Sequence, residues 1–199
     1  EMFTSGYSNP DGKQYADAQI AIVMLGTNDA SSNRTTAAMI ADLEDIVDTL
    51  LARSIIVCLS TLPPKNNDQT DVQNYNVAIR DLAETKKLPL IDFYEECLRR
   101  RPGTTWYNTV ISGDGVHPSA SGGGYSATSD PYTGNGAALS YVGYLLRSWL
   151  SVQKIQEIKS KVIDSAADTT PPAAVTNLAT GAPGAATMPL TWTAPGDDG

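Results

Sequence analysis

Two short polar stretches of this sequence combine side-chain types that enzymes use for acid–base chemistry. Gly26 to Asp29 reads GTND, and Asp114 to Ser119 reads DGVHPS. The second stretch holds the only histidine of the chain, His117, with the carboxylate of Asp114 three positions before it. Histidine exchanges a proton near neutral pH, so His117 is the candidate general base. Asp114 can orient one ring nitrogen and leave the other facing a nucleophile.

The carboxamide of Asn28 adds a third group to this predicted site. A neutral N–H donor stabilises the oxyanion of an acyl-transfer reaction without changing the charge of the site. Each residue also has a structural alternative, because an Asn-Asp pair is common in helix caps and turns, and a lone histidine is often a loop residue. Asp29 is expected to be structural and to bond nearby backbone amides.

Apolar patterning predicts three strand-then-helix units. Each predicted strand is a short apolar run, and each following helix repeats its apolar residues with a period of about 3.6. The predicted strands are Gln19 to Leu25, Ile55 to Leu59 and Leu88 to Phe93. Alternating strands and helices form a parallel sheet covered on both faces, so the sequence predicts an α/β fold.

The helix boundaries follow from capping residues and glycines. Ser32 or Asn33 is expected to cap the first helix, and Asp71 the second. The third strand is expected to lead into a loop. The Gly-rich stretch from Ser119 to Gly136 is expected to be mobile or tightly turned, and a long final helix is predicted from Leu139 to Ile158.

This arrangement predicts where the two motifs lie. In open parallel sheets, ligands bind outside the carboxyl ends of the strands. Asn28 directly follows the first predicted strand, and His117 comes after the third. The order and the positions of the two motifs therefore favour one shared site over two unrelated turns.

The composition excludes several classes of function. The formal charge is -8, and the largest basic cluster is Arg99 to Arg101, which we expect to be a solvated loop edge. A nucleic-acid partner is therefore not expected, and no apolar run is long enough to span a bilayer. One histidine with scattered carboxylates does not make a metal site, and no glycine-rich phosphate loop opens a helix. We expect no metal and no cofactor.

The two cysteines are too few for a disulfide framework. Cys58 lies in an apolar run and is expected to be a buried thiol. Cys97 follows the third predicted strand and is expected to be half exposed. The sequence alone does not decide whether Cys58 and Cys97 form a disulfide.

The GTND and DGVHPS motifs resemble the third and fifth sequence blocks of the SGNH (GDSL-type) esterase/lipase superfamily. The resemblance covers Gln19 to Leu150. It implies a flavodoxin-like three-layer α/β/α sandwich with a parallel sheet. It also implies that Asn28 is an oxyanion-hole donor, that His117 is the general base, and that Asp114 is its carboxylate partner.

Two blocks of that family's pattern have no counterpart in this chain. In the family, the nucleophilic serine lies in a G-D-S block on the first strand, and a backbone glycine downstream is the second oxyanion donor. Ser5 and Ser8 precede the first predicted strand outside such a block, so neither is expected to be the nucleophile. We expect the chain to begin after the first two strands of its domain, which predicts an open sheet edge along the first predicted strand.

The composition changes near Ser165, which predicts three segments. Residues 1–164 form the hydrolase domain, truncated at its N-terminus, residues 165–172 a Pro/Thr linker, and residues 173–199 an incomplete β-domain. Within the last segment, Ala174 to Leu178 and Met188 to Thr193 are predicted to be two short strands bounded by Gly/Pro turns. The segment resembles the opening of a bacterial fibronectin type III domain. That resemblance implies a secreted bacterial protein, and an unrelated Pro/Thr-rich tail is the alternative.

The leading hypothesis is a serine ester hydrolase that works through an acyl-enzyme on a small-molecule or polysaccharide ester. Trp106 and Tyr107 precede the DGVHPS motif and are candidates for a sugar-stacking wall, although core packing explains them equally well. The alternative function is a catalytically inactive, glycan-binding scaffold of the same fold. The sequence does not specify the acyl group, the alcohol or the oligomeric state.

Overall fold

The structure is a computed structural model that describes residues 18–66, 69–165, 175–182 and 187–193. The chain divides into two units, Glu1–Ile158 and Lys159–Gly199, and each is described by itself. Ser5, Ser8 and residues 166–172 of the predicted linker lie outside the described residues.

Three parallel strands form the sheet of the first unit. In spatial order they are β1 (Ile20–Val23), β2 (Ile56–Ser60) and β3 (Leu90–Ile91). Ile20 lies opposite Ile56, and Leu59 lies opposite Leu90. The three strands are the predicted ones, although β1 and β3 are shorter than expected. In the described part of the chain, β1 pairs with a strand on one side only.

Helices cover both faces of this sheet. In chain order, the helices of the first unit are α1 (Thr27–Ser31), α2 (Thr36–Leu51), α3 (Gln69–Thr85), α4 (Phe93–Arg100), the short turn α5 (Thr133–Gly136) and α6 (Gly143–Ile158). Helices α2 and α3 connect consecutive strands, as crossover connections between parallel strands require.

Side chains of β2 alternate between two apolar layers. Val57 and Leu59 pack in the layer formed with α2 and α3, whereas Cys58 packs in the layer formed with α4 and α6. All three side chains are fully buried, so β2 needs a helical cover on each side. This arrangement confirms the predicted α/β class and the flavodoxin-like three-layer α/β/α sandwich.

The first long helix begins later than predicted. The GTND motif itself forms the short helix α1, and Ser32 is the residue that ends it. Asn33 has a φ of 52°, a left-handed conformation that asparagine tolerates, and it lies in the turn that follows. Thr35 caps α2 by accepting a hydrogen bond from the amide of Ala38 at 3.3 Å. The expectation that Ser32 or Asn33 caps this helix is therefore wrong.

Helix α3 is held to the end of β2 by a buried amide. The Asn76 carboxamide accepts a hydrogen bond from the Leu62 amide at 2.7 Å and donates one to the Leu62 carbonyl at 3.0 Å. Asn76 is fully buried, so its two hydrogen bonds satisfy backbone groups that water does not reach. Asp71 lies in the first turn of α3 and does not precede it, contrary to the expected cap.

Asp92 begins α4, where the sequence predicts a loop. Its carboxylate accepts hydrogen bonds from the Glu95 amide at 3.2 Å, from Arg80 at 2.8 and 3.0 Å, and from the Thr61 hydroxyl at 3.0 Å. Burial opposes ionisation of this carboxylate, but these donors outweigh burial and hold the pKa of Asp92 below its usual range. One side chain thus joins β3 and α4 to α3.

Helix α4 also corrects two expectations about side chains. Arg99 and Arg100 are helical and both pair with Glu96, at 2.7 and 2.8 Å, so the basic cluster is not a loop edge. Cys97 faces the apolar layer and is fully buried, where half exposure was expected. Cys58 and Cys97 are both free thiols.

Ser119 joins the two ends of the segment that separates the DGVHPS motif from α6. The buried Ser119 hydroxyl donates to the Tyr141 carbonyl and accepts from the Gly143 amide, both at 3.0 Å. The Tyr144 amide donates to the Ser119 carbonyl at 3.0 Å. Gly143 has no room for a side chain, because a Cβ there would lie 1.8 Å from the Val110 carbonyl oxygen. Residues 120–142 are therefore an excursion whose two ends meet.

Within this excursion the Gly-rich stretch is tightly turned. Strands β4 (Ser121–Gly122) and β5 (Tyr125–Ser126) pair as an antiparallel hairpin. Gly123 and Gly124 connect them with positive φ angles of 57° and 82°, which glycine adopts without strain. A 3₁₀ turn at Ala137–Ser140 contains Leu139, so α6 starts four residues later than the predicted final helix.

The second unit contains a π-helical turn at Lys159–Ile163 and a two-stranded antiparallel hairpin. The hairpin pairs β6 (Ala179–Thr180) with β7 (Leu190–Thr191). The second strand lies within the predicted Met188 to Thr193. The first lies just after the predicted Ala174 to Leu178, whose first residue is outside the described residues.

Replacement of Asn76 by Ala should destabilise the fold by about 2 to 4 kcal/mol, because two buried backbone groups of Leu62 lose their partners. Urea unfolding followed by circular dichroism measures this change. Asn74→Ala is the matched control, since Asn74 lies on the same helix and is exposed, and its effect should stay within about 0.5 kcal/mol. Equal unfolding midpoints for the two variants would contradict the role given to the Asn76 amide.

Candidate active site

The DGVHPS motif forms a closed loop. Ile111 and Pro118 are bridged as antiparallel partners, and the Ser112 amide donates to the His117 carbonyl at 2.8 Å. The Gly115 amide donates to the Ser112 carbonyl at 2.9 Å, which completes a turn inside the loop. Asp114 and His117 therefore lie on one short, internally hydrogen-bonded segment.

The structure brings His117 and Asp114 into direct contact. The Nδ1 atom of His117 lies 2.7 Å from Oδ2 of Asp114. The other carboxylate oxygen, Oδ1, accepts hydrogen bonds from the Ser112 hydroxyl at 2.6 Å, the Val116 amide at 2.8 Å and the His117 amide at 3.0 Å. Oδ2 therefore contacts the imidazole, whereas Oδ1 accepts the hydrogen bonds of the loop.

These donors keep Asp114 ionised. The Ser112 hydroxyl has the largest effect, followed by the Val116 amide and the His117 ring and amide, and together they hold the pKa of Asp114 far below its usual range. An ionised carboxylate only accepts hydrogen bonds, so Nδ1 of His117 carries the proton of their shared bond. Nε2 of the neutral ring is then the free base.

The loop is seated against the chain that follows β2. The Asn66 amide donates to the Gly115 carbonyl at 2.8 Å. Gly115 has a φ of +73°, and a Cβ there would lie 2.5 Å from Cβ of Asn66, so only glycine fits without a shift. On the other side, the Tyr107 hydroxyl donates to the Gly113 carbonyl at 2.9 Å. Both contacts fix the backbone on either side of Asp114.

Asn28 lies on α1, directly after β1. Its side chain is exposed, and its carboxamide has no hydrogen-bond partner among the described residues. Gly26 makes the bend into this helix with a φ of +122°, and a Cβ there would lie 3.3 Å from Leu62. Asn28 and the His117 loop both lie at carboxyl ends of strands, after β1 and beside the chain leaving β2. They make no hydrogen bond with each other.

Asp29 is structural, but its partner differs from the one expected. Its carboxylate pairs with the Arg34 guanidinium at 3.0 Å, where backbone amides were expected, and Arg34 also pairs with Asp42 at 2.6 Å.

A groove of about 330 Å³ lies beside Asn28, Asp29 and Arg34. Its apolar lining comes from the end of β1 and from α2, chiefly Met24, Leu43 and Ile46.

The aromatic pair before the loop divides between core and surface. Trp106 is 6% exposed and packs in the layer of α4 and α6, which is the core-packing alternative. Tyr107 is 40% exposed and meets Trp106 edge-on, with ring centroids 6.2 Å apart. Of these two rings, only that of Tyr107 is exposed to solvent.

The cysteines are poor candidates for a nucleophile. Burial raises the pKa of Cys58 to about 11 and that of Cys97 further. Because the thiolate is the reactive form, neither thiol is activated near neutral pH.

Within the described ranges, no group of three His, Cys, Asp or Glu side chains is arranged to hold a metal ion. No helix in these ranges is long and apolar enough to cross a membrane.

Sequence reasoning missed the residues that hold the loop. Ser112 is the side-chain donor to Asp114, Ser119 ties the loop to α6, and Asn66 seats Gly115. Ser112 lies two positions before the motif and Ser119 is its last residue, so both are close enough in sequence to have been considered. Asn66 is about fifty positions away, and no sequence signal places it there.

This chain is similar in structure to solved proteins. A crystal structure of a GDSL-like lipase from Bacteroides thetaiotaomicron VPI-5482 superposes with a TM-score of 0.52 at 20% identity, over 70% of this chain and 62% of that one. A putative acylhydrolase from Bacteroides fragilis NCTC 9343 gives a TM-score of 0.44 at 19% identity, over 68% of this chain and 62% of its own. The chain thus spans less than two thirds of the length of either structure.

No curated protein matches the chain. A sequence profile described as the GDSL-like Lipase/Acylhydrolase family matches residues 5–123, which is more than half of the 199 residues and includes both the GTND motif and His117. The chain therefore belongs to the GDSL-like lipase/acylhydrolase family.

Proposed function

We propose that this chain carries the general base, its orienting carboxylate and one oxyanion donor of a serine ester hydrolase. The observation that supports this most directly is the 2.7 Å contact between His117 Nδ1 and Asp114, which leaves Nε2 available. His117 is 67% exposed, so a substrate and a nucleophile can reach that nitrogen. Membership of a family of lipases and acylhydrolases supports ester bonds as the target.

The proposed reaction has two steps. Nε2 of His117 takes the proton of a serine hydroxyl as the serine oxygen attacks the ester carbonyl, and the Asn28 carboxamide donates to the resulting oxyanion. The tetrahedral intermediate collapses, and the alcohol leaves with the proton from His117. Water then attacks the acyl-enzyme with the same base, which releases the carboxylic acid and restores the serine. Asp114 stays ionised throughout and stabilises the imidazolium.

We propose that the nucleophilic serine lies outside the described residues. Among those residues, the described hydrogen bonds of the His117 ring end at Asp114, and the nearby Ser112 hydroxyl donates to Asp114 and not to the imidazole. Ser119 is buried and engaged by α6. Neither serine of this loop is therefore in position to attack.

The nature of the ester and the setting of the protein are further proposals. We propose a carbohydrate or other carboxylic ester as substrate and a secreted bacterial protein. Both follow from the fibronectin type III-like reading of the C-terminal segment. That interpretation is based on the Pro-rich lead-in and on Trp192 in the sequence of the segment.

Replacement of His117 by Ala should lower hydrolysis of a short-chain p-nitrophenyl ester by about 100- to 10,000-fold, because no other described side chain serves as a base at that position. The natural full-length protein is assayed, since the chain spans less than two thirds of the length of the structures it resembles. Activity that survives this substitution would overturn the assignment.

A fluorophosphonate probe distinguishes the two candidate functions in the same protein. The probe should label one serine covalently, and labelling should be lost in His117→Ala; mass spectrometry then identifies the serine. An unlabelled, inactive wild-type protein that binds glycans would instead support the inactive scaffold.

The acid limb of the pH–rate profile should follow a single ionisation. The pKa of Asp114 is lowered in the folded chain, so its carboxylate stays charged well below the region near pH 6.5 where imidazole ordinarily titrates. Asp114 then adds no second ionisation to the acid limb, and log kcat/KM should fall with a slope of one and not two between about pH 6 and pH 4. A slope of two in this range would show that Asp114 titrates with the base.

A further inference from the structure

We propose that Ser112 is a positioning residue of the hydrolytic site, whose hydroxyl fixes the Asp114 carboxylate so that Oδ2 faces Nδ1 of His117. This inference rests on the proposed function for its catalytic meaning. The geometry that carries it is the 2.6 Å hydrogen bond from the Ser112 hydroxyl to Oδ1, the shortest of the three donated to that oxygen.

Asp114 needs such an anchor because it is not buried. Its side chain is 51% exposed, so water competes for both oxygens, and little packing restrains rotation of the carboxylate. Two of the donors to Oδ1 are backbone amides, from Val116 and His117, which belong to the loop itself. Ser112 is the only side-chain donor to Oδ1 among the described residues. It lies across the loop from His117, since the Ser112 amide donates to the His117 carbonyl.

The hydroxyl can be removed without opening the loop. The backbone of Ser112 donates to the His117 carbonyl at 2.8 Å and accepts from the Gly115 amide at 2.9 Å. Alanine keeps both of these hydrogen bonds, and within the described ranges the Ser112 side chain is hydrogen-bonded only to Asp114. A Ser112→Ala variant therefore tests the hydroxyl, and not the fold of the loop.

Few other groups influence Asp114. In the part of the chain that the structure describes, the only ionisable side chain hydrogen-bonded to it is His117. The chain after β2 contributes the neutral Asn66 through its amide to Gly115, and Tyr107 bonds the Gly113 carbonyl. A change in the titration of this pair after substitution of Ser112 is therefore attributable to the lost hydrogen bond.

Because His117 is the only histidine, its ring nitrogens give unambiguous signals in ¹⁵N NMR. In the wild-type chain, the neutral ring should be mainly protonated at Nδ1. In Ser112→Ala, the Nδ1-protonated fraction at pH 8 should fall, and the low-pH inflection caused by Asp114 should move up by about half to one pH unit. Ser112→Thr keeps a hydroxyl and should restore both values.

Ser121→Ala is the matched control, because Ser121 is exposed and lies outside the loop. It should leave the His117 signals unchanged, and urea unfolding should confirm that all variants are folded. If Ser112→Ala gives the wild-type tautomer and inflection, the positioning role is wrong, whatever the activity.

Measurement of kcat and KM distinguishes a failure of the positioning role from a failure of the proposed function. In the full-length protein, Ser112→Ala should lower kcat by about 3- to 30-fold with little change in KM, as expected for a misoriented base. Wild-type protein without esterase activity, together with the NMR shifts described above, would overturn the proposed function and leave the Ser112–Asp114–His117 contact intact. Full kcat in Ser112→Ala would overturn the catalytic meaning of that contact.

Discussion

The double burial of β2 is the constraint on which the rest of this structure depends. Val57 and Leu59 face one apolar layer and Cys58 faces the other, and none of the three is exposed. A strand buried on both sides needs helices on both faces, and parallel neighbours need crossover helices to reach it. Every loop that leaves a strand therefore lies at the same edge of the sheet. That edge is where Asn28 and the loop seated on Asn66 are found.

Backbone contacts, more than side-chain packing, then hold the candidate site at that edge. Gly115 passes so close to Asn66 that a Cβ does not fit, and Gly143 passes closer still to Val110. Ser119 joins the end of the loop to the start of α6 through its hydroxyl and its carbonyl. Both ends of the long excursion between these two points are therefore fixed beside the loop that carries the histidine.

The sequence predicted the elements that bury large apolar surfaces and missed the ones held by polar contacts. The runs around β1 and β2 and the apolar faces of α2 and α3 are long, so their periodicity is clear. Helix α4 is only eight residues long, with arginines before a Pro-Gly pair, and its start depends on Asp92 and Arg80, which are twelve positions apart. For the site, the D-x-x-H spacing was enough to predict the Asp114–His117 contact. The role of Ser112 was not predicted, because its hydrogen bond to Asp114 depends on the side-chain rotamer and not on the spacing in the sequence.

The exposure of the Asp114–His117 pair explains why so many donors surround one carboxylate. A buried aspartate is oriented by its surroundings, but a low-dielectric environment also opposes its charge, as burial does at Asp92. Asp114 avoids that cost by remaining half exposed, and it then needs hydrogen bonds to stay oriented in water. Three donors on Oδ1 provide this orientation and favour the ionised form at the same time. An ionised, oriented Asp114 fixes the imidazole tautomer, so the geometry of the loop, and not the depth of a pocket, leaves Nε2 of the neutral ring without a proton.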